Sequence, residues 1–322
     1  MREIDPVIDW LLDPEQSDPS IRWQVMRDLL DAPQSDWEEE RAEVETEGWG
    51  ARLLSHEDED GQWAGGAHFP ADYVWGSEPG QPWTSTTHSL SLLREFGFDP
   101  GSDRAKRMAE LIGANCHWEH DRQPYWEGEV EPCINGVTVA NGTYFGVDMA
   151  PVVERLVGER LDDGGWNCEA ENGSVRSSFD TTINVLEGLL EFERATGGTP
   201  ESREARVSGE EYLLKRSLFR RLTTGEPADE RYLNFLHPNR WHYDVLRALE
   251  YFRASSALTG APPDPRLSEA IDHVRSRRRE DGTWPLDWNP EGRTWFDVDD
   301  GQDKPSRWIT LRALRTLKWW DD

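Results

Sequence analysis

Asp60-Gly61-Gln62-Trp63, Asp163-Gly164-Gly165-Trp166 and Asp281-Gly282-Thr283-Trp284 are three copies of one pattern, Asp-Gly-x-Trp, in a chain of 322 residues. Each is followed by the phrase Thr-x3-Leu-x2-Leu-x2-aromatic. The three phrases are Thr86/Leu90/Leu93/Phe96, Thr182/Leu186/Leu189/Phe192 and Thr310/Leu314/Leu317/Trp320. Apolar residues at +4, +7 and +10 share one face of a helix. A turn joined to a matched helix, and repeated, marks a repeat architecture.

Weaker copies extend the pattern. His242/Leu246/Leu249/Phe252 matches with His in the Thr position, while Cys133/Val137/Ala140 and Arg22/Met26/Leu29/Ala32 match in part. The leading positions are therefore 22, 86, 133, 182, 242 and 310, at gaps of 64, 47, 49, 60 and 68 residues. Each gap accommodates two helices and two loops, a helical hairpin. Partner helices are expected at Arg104–Ala114, Val152–Leu161, Glu204–Leu218 and Arg266–Arg279, the last two charged enough for a wet outer surface. Val137 to Val139 is β-branched but lies inside a helical phrase, and strand signals are otherwise scarce. The expected fold is all-α, with residues 1–322 as one domain: an α/α toroid of six helical hairpins, with inner and outer helix rings around a central cavity. Closure buries both ends of an otherwise open solenoid. The parallel inner helices bring their N-termini, whose amides favour anions, to one mouth ringed by Arg22, Thr86, Cys133, Thr182, His242 and Thr310.

Charge narrows the choice of partners. There are 63 acidic residues against 35 basic, a formal net charge of −28, and only four of the basic residues are Lys (106, 215, 304 and 318). The acids are spread along the chain, so self-repulsion is relieved by salt. An acidic, Lys-poor, Arg-rich composition reads as adaptation to a salt-rich cytoplasm, as in haloarchaea; the competing reading is a surface for cationic partners. Nucleic acid is disfavoured, because phosphates need a clustered basic face. Three Cys (116, 133 and 168) are too few for a disulfide framework in a chain of this size. The stretch Met1 to Trp10 carries acids and a Pro, unlike a signal peptide, and no apolar run is long enough to cross a bilayer. The expectation is a soluble, cytoplasmic protein, and the sequence leaves its oligomeric state open.

The repeat resembles that of squalene–hopene and other triterpene cyclases and of the β subunits of protein prenyltransferases. Asp-Gly-x-Trp is similar to the core of the QW motif of those cyclases, without its leading Gln. CINGVTVANGTYFG (133–146), LDDGGWNCE (161–169), NRWHYDVLRALEYF (239–252) and KPSRWITLRALRTLKWW (304–320) resemble short single-domain squalene-cyclase-like proteins of prokaryotes. The resemblance runs over about residues 20–320 as hairpin repeats. It implies a single helical barrel where a triterpene cyclase has two. As leading function it implies proton-initiated cyclisation of an isoprenoid in a hydrophobic, aromatic-lined cavity, with no cofactor required.

Several residue sets follow as candidates. Asp297-Val298-Asp299-Asp300 resembles the Asp-x-Asp-Asp acid of class II terpenoid cyclases, with Asp299 as proton donor tuned by Asp297 and Asp300; close carboxylates can keep one another protonated. The competing reading is a polar loop in an acid-rich chain. Trp83, Phe179, Trp241, Tyr243 and Trp308 offer ring faces that stabilise cations, against a plain packing role. With Thr86, Thr182, His242 and Thr310 they make up a substrate-binding rim. Arg240 and Arg307 could hold a diphosphate or carboxylate, or bridge surplus acids. Zinc is the alternative cofactor, held by Cys133, Cys168, His242 or His117; helical toroids of the prenyltransferase and lanthipeptide-cyclase kinds hold zinc at this mouth. Free Cys are otherwise small buried hydrophobes. Glu127, Glu129 and Glu131, Asp180 and Asp244 read as helix-start acids. A third reading is a non-catalytic toroid that binds a lipid, peptide or protein.

Overall fold

The computed structural model describes residues 5–322; Met1 to Ile4, part of the N-terminal stretch considered above, lie outside them. The elements are α1 (Pro6–Leu12), α2 (Pro19–Asp28), α3 (Gln34–Ala42), α4 (Gly48–Leu54), α5 (Thr86–Phe96), α6 (Asp103–Asn115) and α7 (Pro132–Tyr144). They continue with α8 (Ala150–Gly158), α9 (Phe179–Thr196), α10 (Pro200–Leu214), α11 (Val245–Thr259), α12 (Ser268–Ser276) and α13 (Arg307–Asp321). Short 3-10 turns join some of them, and β pairing among the described residues is confined to isolated bridges. No described helix is long and apolar enough to cross a membrane.

Helix ends follow the local chemistry. Ser178, Asp244 and Ser306 cap α9, α11 and α13 by accepting from the amides of Thr181, Arg247 and Ile309. Helices α5, α9 and α11 end on Gly97, Gly197 and Gly260 in the left-handed conformation. Several expected boundaries move: α2, α9 and α13 start three residues before Arg22, Thr182 and Thr310. Helix α10 starts earlier, at Pro200, behind a Thr199/Ser202 capping box. Helix α11 starts at Val245 and not at His242, because Asp244 is the cap.

The three Asp-Gly-x-Trp copies are one physical device. In each, the Gly has positive φ (85°, 103° and 86° at Gly61, Gly164 and Gly282). Its amide donates three residues back, to Asp58, Leu161 and Arg279. The Trp indole donates ten residues back, to the carbonyls of Leu53, Leu156 and Val274 at 2.7–2.9 Å. The Trp amide donates forward to a Thr hydroxyl in the first turn of the next helix: Trp63 to Thr86, Trp166 to Thr182 and Trp284 to Thr310, at 3.0–3.1 Å. Trp and Thr are buried in every copy. The device clasps the end of one helix to the start of the next.

Each clasp also abuts a further helix. A Cβ on Gly61 would come within 2.6 Å of Leu111 in α6, and one on Gly164 within 2.9 Å of Ser208 in α10. The third, on Gly282, would meet Val7 in α1 at 2.7 Å, so the last clasp packs on the first helix. The helices led by the repeated phrase touch in the order α2, α5, α7, α9, α11, α13, and α13 returns to α2. Arg315 of α13 joins that contact electrostatically, bridging Glu250 of α11 and Asp28 of α2. Its two partner carboxyls are held low: burial raises both, but the arginines around them outweigh it.

Candidate functional site

A cavity of about 1320 Å³ lies among α5, α7, α9, α11 and α13, with loop residues 62–81 and 115–131 at its edge. Its wall departs from the expected hydrophobic, aromatic lining. Charged side chains reach it from several helices: Arg94 and Glu95, Glu187, Arg247 and Glu250, Arg312 and Arg315. Some neutralise one another, as in Arg247 with Glu187 at 2.7 Å and Arg253 with Glu250 at 3.0 Å. Burial would raise the Glu187 carboxyl, but Arg247 beside it holds it below its usual value. Phe69 and Tyr73 stack at the edge, with the exposed Trp75 packed at an angle against both.

On the wall between α7 and α9, the Glu131 carboxylate and the Cys133 and Cys168 sulfurs lie within 4.8 Å of one another. Backbone contact creates this convergence. A Cβ on Gly136 would stand 2.4 Å from the Asn184 carbonyl, and one on Gly188 2.4 Å from the Gly136 carbonyl. Only glycines allow α7 and α9 so close, and the approach draws their starts together. Cys168 opens a 3-10 turn directly behind Trp166, with Asn167 capping it. Glu131 sits at the start of α7, at its N-cap, as expected of a helix-start acid, but its side chain makes no capping hydrogen bond there. Cys133 donates to Glu131 at 3.4 Å, and Thr181 donates to the Cys168 sulfur at 3.4 Å. The contact with Cys168, then burial, pushes the Cys133 thiol well above its usual range.

Two soft thiolates and a carboxylate are a donor set for zinc. In a tetrahedral site with metal–sulfur bonds of about 2.3 Å, ligand atoms stand roughly 3.8 Å apart, so the trio needs only a small closure. Three protein ligands leave a fourth position open, as catalytic sites require. His117 also borders the cavity, but its ring nitrogen pairs with the Asn115 carbonyl at 3.0 Å and it is not part of the trio. His242 is away from the cavity wall, packed at a tilt against Trp241 with ring centroids 3.7 Å apart, and burial takes its pKa down to about 4. Zinc ligation by His117 or His242 alongside these cysteines therefore has no geometric basis.

The other expected site residues divide sharply. Arg240 and Trp241 border the cavity. Thr86, Thr182 and Thr310 are committed to the clasps. Phe179 and Tyr243 pack with Tyr212 and Tyr232 in an aromatic cluster, where the Tyr243 hydroxyl donates to the Leu218 carbonyl. Trp83 donates to the Glu291 carbonyl, and Trp308 packs among Trp49, Phe96 and His237. Arg307 lies over the Trp10 ring and pairs with Asp300. Of the acid triplet, Asp297 and Asp300 are exposed, and none of the three borders the cavity. Asp299 accepts from Ser306, the cap of α13. Burial pushes its carboxyl up to about 6 against that hydrogen bond, so it is a raised acid remote from the cavity.

Sequence reasoning missed Glu131 as the partner of the two cysteines, and it missed Arg94, Glu95 and Arg312 on the cavity wall. The last three lie inside helical phrases, where the apolar positions alone were read. The signal for them was the charged face of a helix that also carries a repeated apolar face: here that charged face borders the cavity.

No protein-family model matches the sequence. No curated protein matches it either. Among solved structures, the crystal structure of a protein from Actinoplanes is similar at 16% identity and a TM-score of 0.46, over 95% of this chain and 90% of that chain.

Proposed function

We propose that this chain is a metal-dependent enzyme acting on a polar substrate, with zinc held by Glu131, Cys133 and Cys168 on the wall of the central cavity. The observation that carries the reading is the convergence of those three donors beside a charged cavity. Bound there, zinc supplies Lewis acidity to a substrate oxygen, sulfur or water. The chain itself contributes the rest. Thr181 orients the Cys168 sulfur, and the Gly136–Gly188 contact fixes the separation of the two cysteines. The paired charges on the wall favour a polar ligand over a hydrocarbon. The cyclic order of helix contacts and the third clasp on α1 support a six-hairpin α/α toroid as the scaffold. The acidic composition supports a salt-rich setting.

Isoprenoid cyclisation has less support. Its proton donor, Asp299, has the raised pKa such an acid needs but lies off the cavity wall.

The test is metal analysis of protein purified in molar salt without chelator. About one equivalent of zinc is expected, falling below a tenth in Cys133→Ser and Cys168→Ser, with Glu131→Gln weakened. A wild-type protein that neither carries zinc nor takes it up would sink the metal reading.

A further inference from the structure

Arginines around the cavity fall into two groups. Arg247, Arg253 and Arg315 each hold a carboxylate at 3.1 Å or closer. Arg94, Arg240 and Arg312 also border the cavity, yet among the described residues none has a carboxylate within 4.0 Å. In a chain with 63 acids against 35 bases, that runs against composition. Neutral groups position two of them. Arg312 donates to the Asn239 side chain at 2.6 Å, and Arg94 to the Asn141 side chain at 3.2 Å. Among the described residues the Arg240 guanidinium makes no hydrogen bond, and it lies over the Trp83 ring at 5.5 Å.

We propose that Arg94, Arg240 and Arg312 form an oxyanion subsite in this cavity, taking a carboxylate or phosphate group of a small ligand. A guanidinium with free, fixed donors matches either group bidentately. The backbone is arranged to present it. Arg240 has φ 55°, in a region that bulky side chains rarely adopt and that clusters at functional sites. Asn239 ties the same loop to α13 through Arg312 and to α11 through Asp244, at 2.7 Å. Of the acids on this wall, Glu187 and Glu250 are paired with Arg247, Arg253 and Arg315, whereas Glu95 faces the field of Arg94, Arg240 and Arg312 without direct contact. Burial raises its carboxyl, opposed by the charges of Arg312, Arg94 and Arg240. His237 lies 3.5 Å from Glu95 with its ring buried, and burial together with Arg312 and Arg240 holds it neutral. The subsite does not require the metal, because it uses none of the same residues.

Titration calorimetry at fixed ionic strength, with malonate in one arm and inorganic phosphate in the other, tests this. Saturable one-to-one binding is expected in at least one arm, and the tighter arm assigns the ligand class. Arg240→Gln should weaken it roughly tenfold or more, the scale of one charged hydrogen bond. Arg240→Lys should recover part of the loss, and Arg307→Gln, whose pair with Asp300 lies off the cavity wall, should change nothing. Cys133→Ser should still bind, which separates this subsite from the metal. Absence of binding in both arms, or equal binding by folded Arg240→Gln, overturns the proposal. If Arg240→Gln melts early, the partial recovery by Arg240→Lys decides instead.

Discussion

The helix starts of α5, α9 and α13 differ from those of α7 and α11 in one respect. At the first three, a Thr hydroxyl accepts from the clasp Trp and is buried. At α7 the equivalent position is Cys133, which meets Glu131 and Cys168 at the cavity. At α11 the helix starts three residues late, and the loop so released carries Arg240 and Trp241 to the cavity. The sixth position, Arg22, is committed to Glu40 and Glu43. Where the repeat is kept, the residue is structural; where it lapses near the cavity, side chains become free for chemistry.

The sharpest way to break this contrast is to truncate one Trp from each class. Trp166 is fully buried and its indole donates to the Leu156 carbonyl, so Trp166→Ala should destabilise by about 3–5 kcal/mol. Trp241, 39% exposed, should cost under about 1 kcal/mol as Trp241→Ala. Denaturant titration of both in molar salt reads the difference. Comparable losses would mean that the clasp is not what holds the hairpins.

Helices and clasps were legible because they are periodic: +4, +7, +10 and a fixed Gly-x-Trp survive without knowledge of tertiary contacts. The site was legible only through irregularity. Cys133 and Cys168 stand out as rare residues at odd members of the repeat, but Glu131 looked like any acid before a helix. Arg94 and Arg312 looked like any polar face. Assigning them requires knowing that the polar faces of α5 and α13 border a cavity, and that Gly136 and Gly188 let two helices meet. The threonines misled for the converse reason. They line up at the helix starts, but a Thr that can reach a buried amide is used there.

A second pair separates stability from metal. Thr182→Val keeps the volume but leaves the Trp166 amide without an acceptor, at a cost of about 1–3 kcal/mol. Its zinc content should match wild type. Cys133→Ser should do the reverse, losing zinc while the metal-free melting midpoint stays within a few degrees. Thermal melts of chelator-treated protein, set beside metal content, check both; a Thr182→Val variant that folds normally but loses zinc would join the two regions that the comparison keeps apart.

The smallest effect concerns Asp299, which the comparison assigns to the clasped class because it supports Ser306, the cap of α13. Its pKa is raised from 3.8 to about 6, mainly by burial. The folded protein therefore holds this proton more tightly than the unfolded chain does, and folding takes up a proton between about pH 4 and 6. The contribution is most favourable below that window and is lost as pH rises through 6. Asp299→Asn removes the charge and leaves an amide oxygen for Ser306. Relative to wild type it should gain on the order of 1–2 kcal/mol between pH 4 and 7, with no change in zinc content. Paired denaturant titrations at both pH values measure the gain. A stability difference that stays flat across the window would show that the carboxylate is solvated, and Asp299 would no longer count as part of the buried cap.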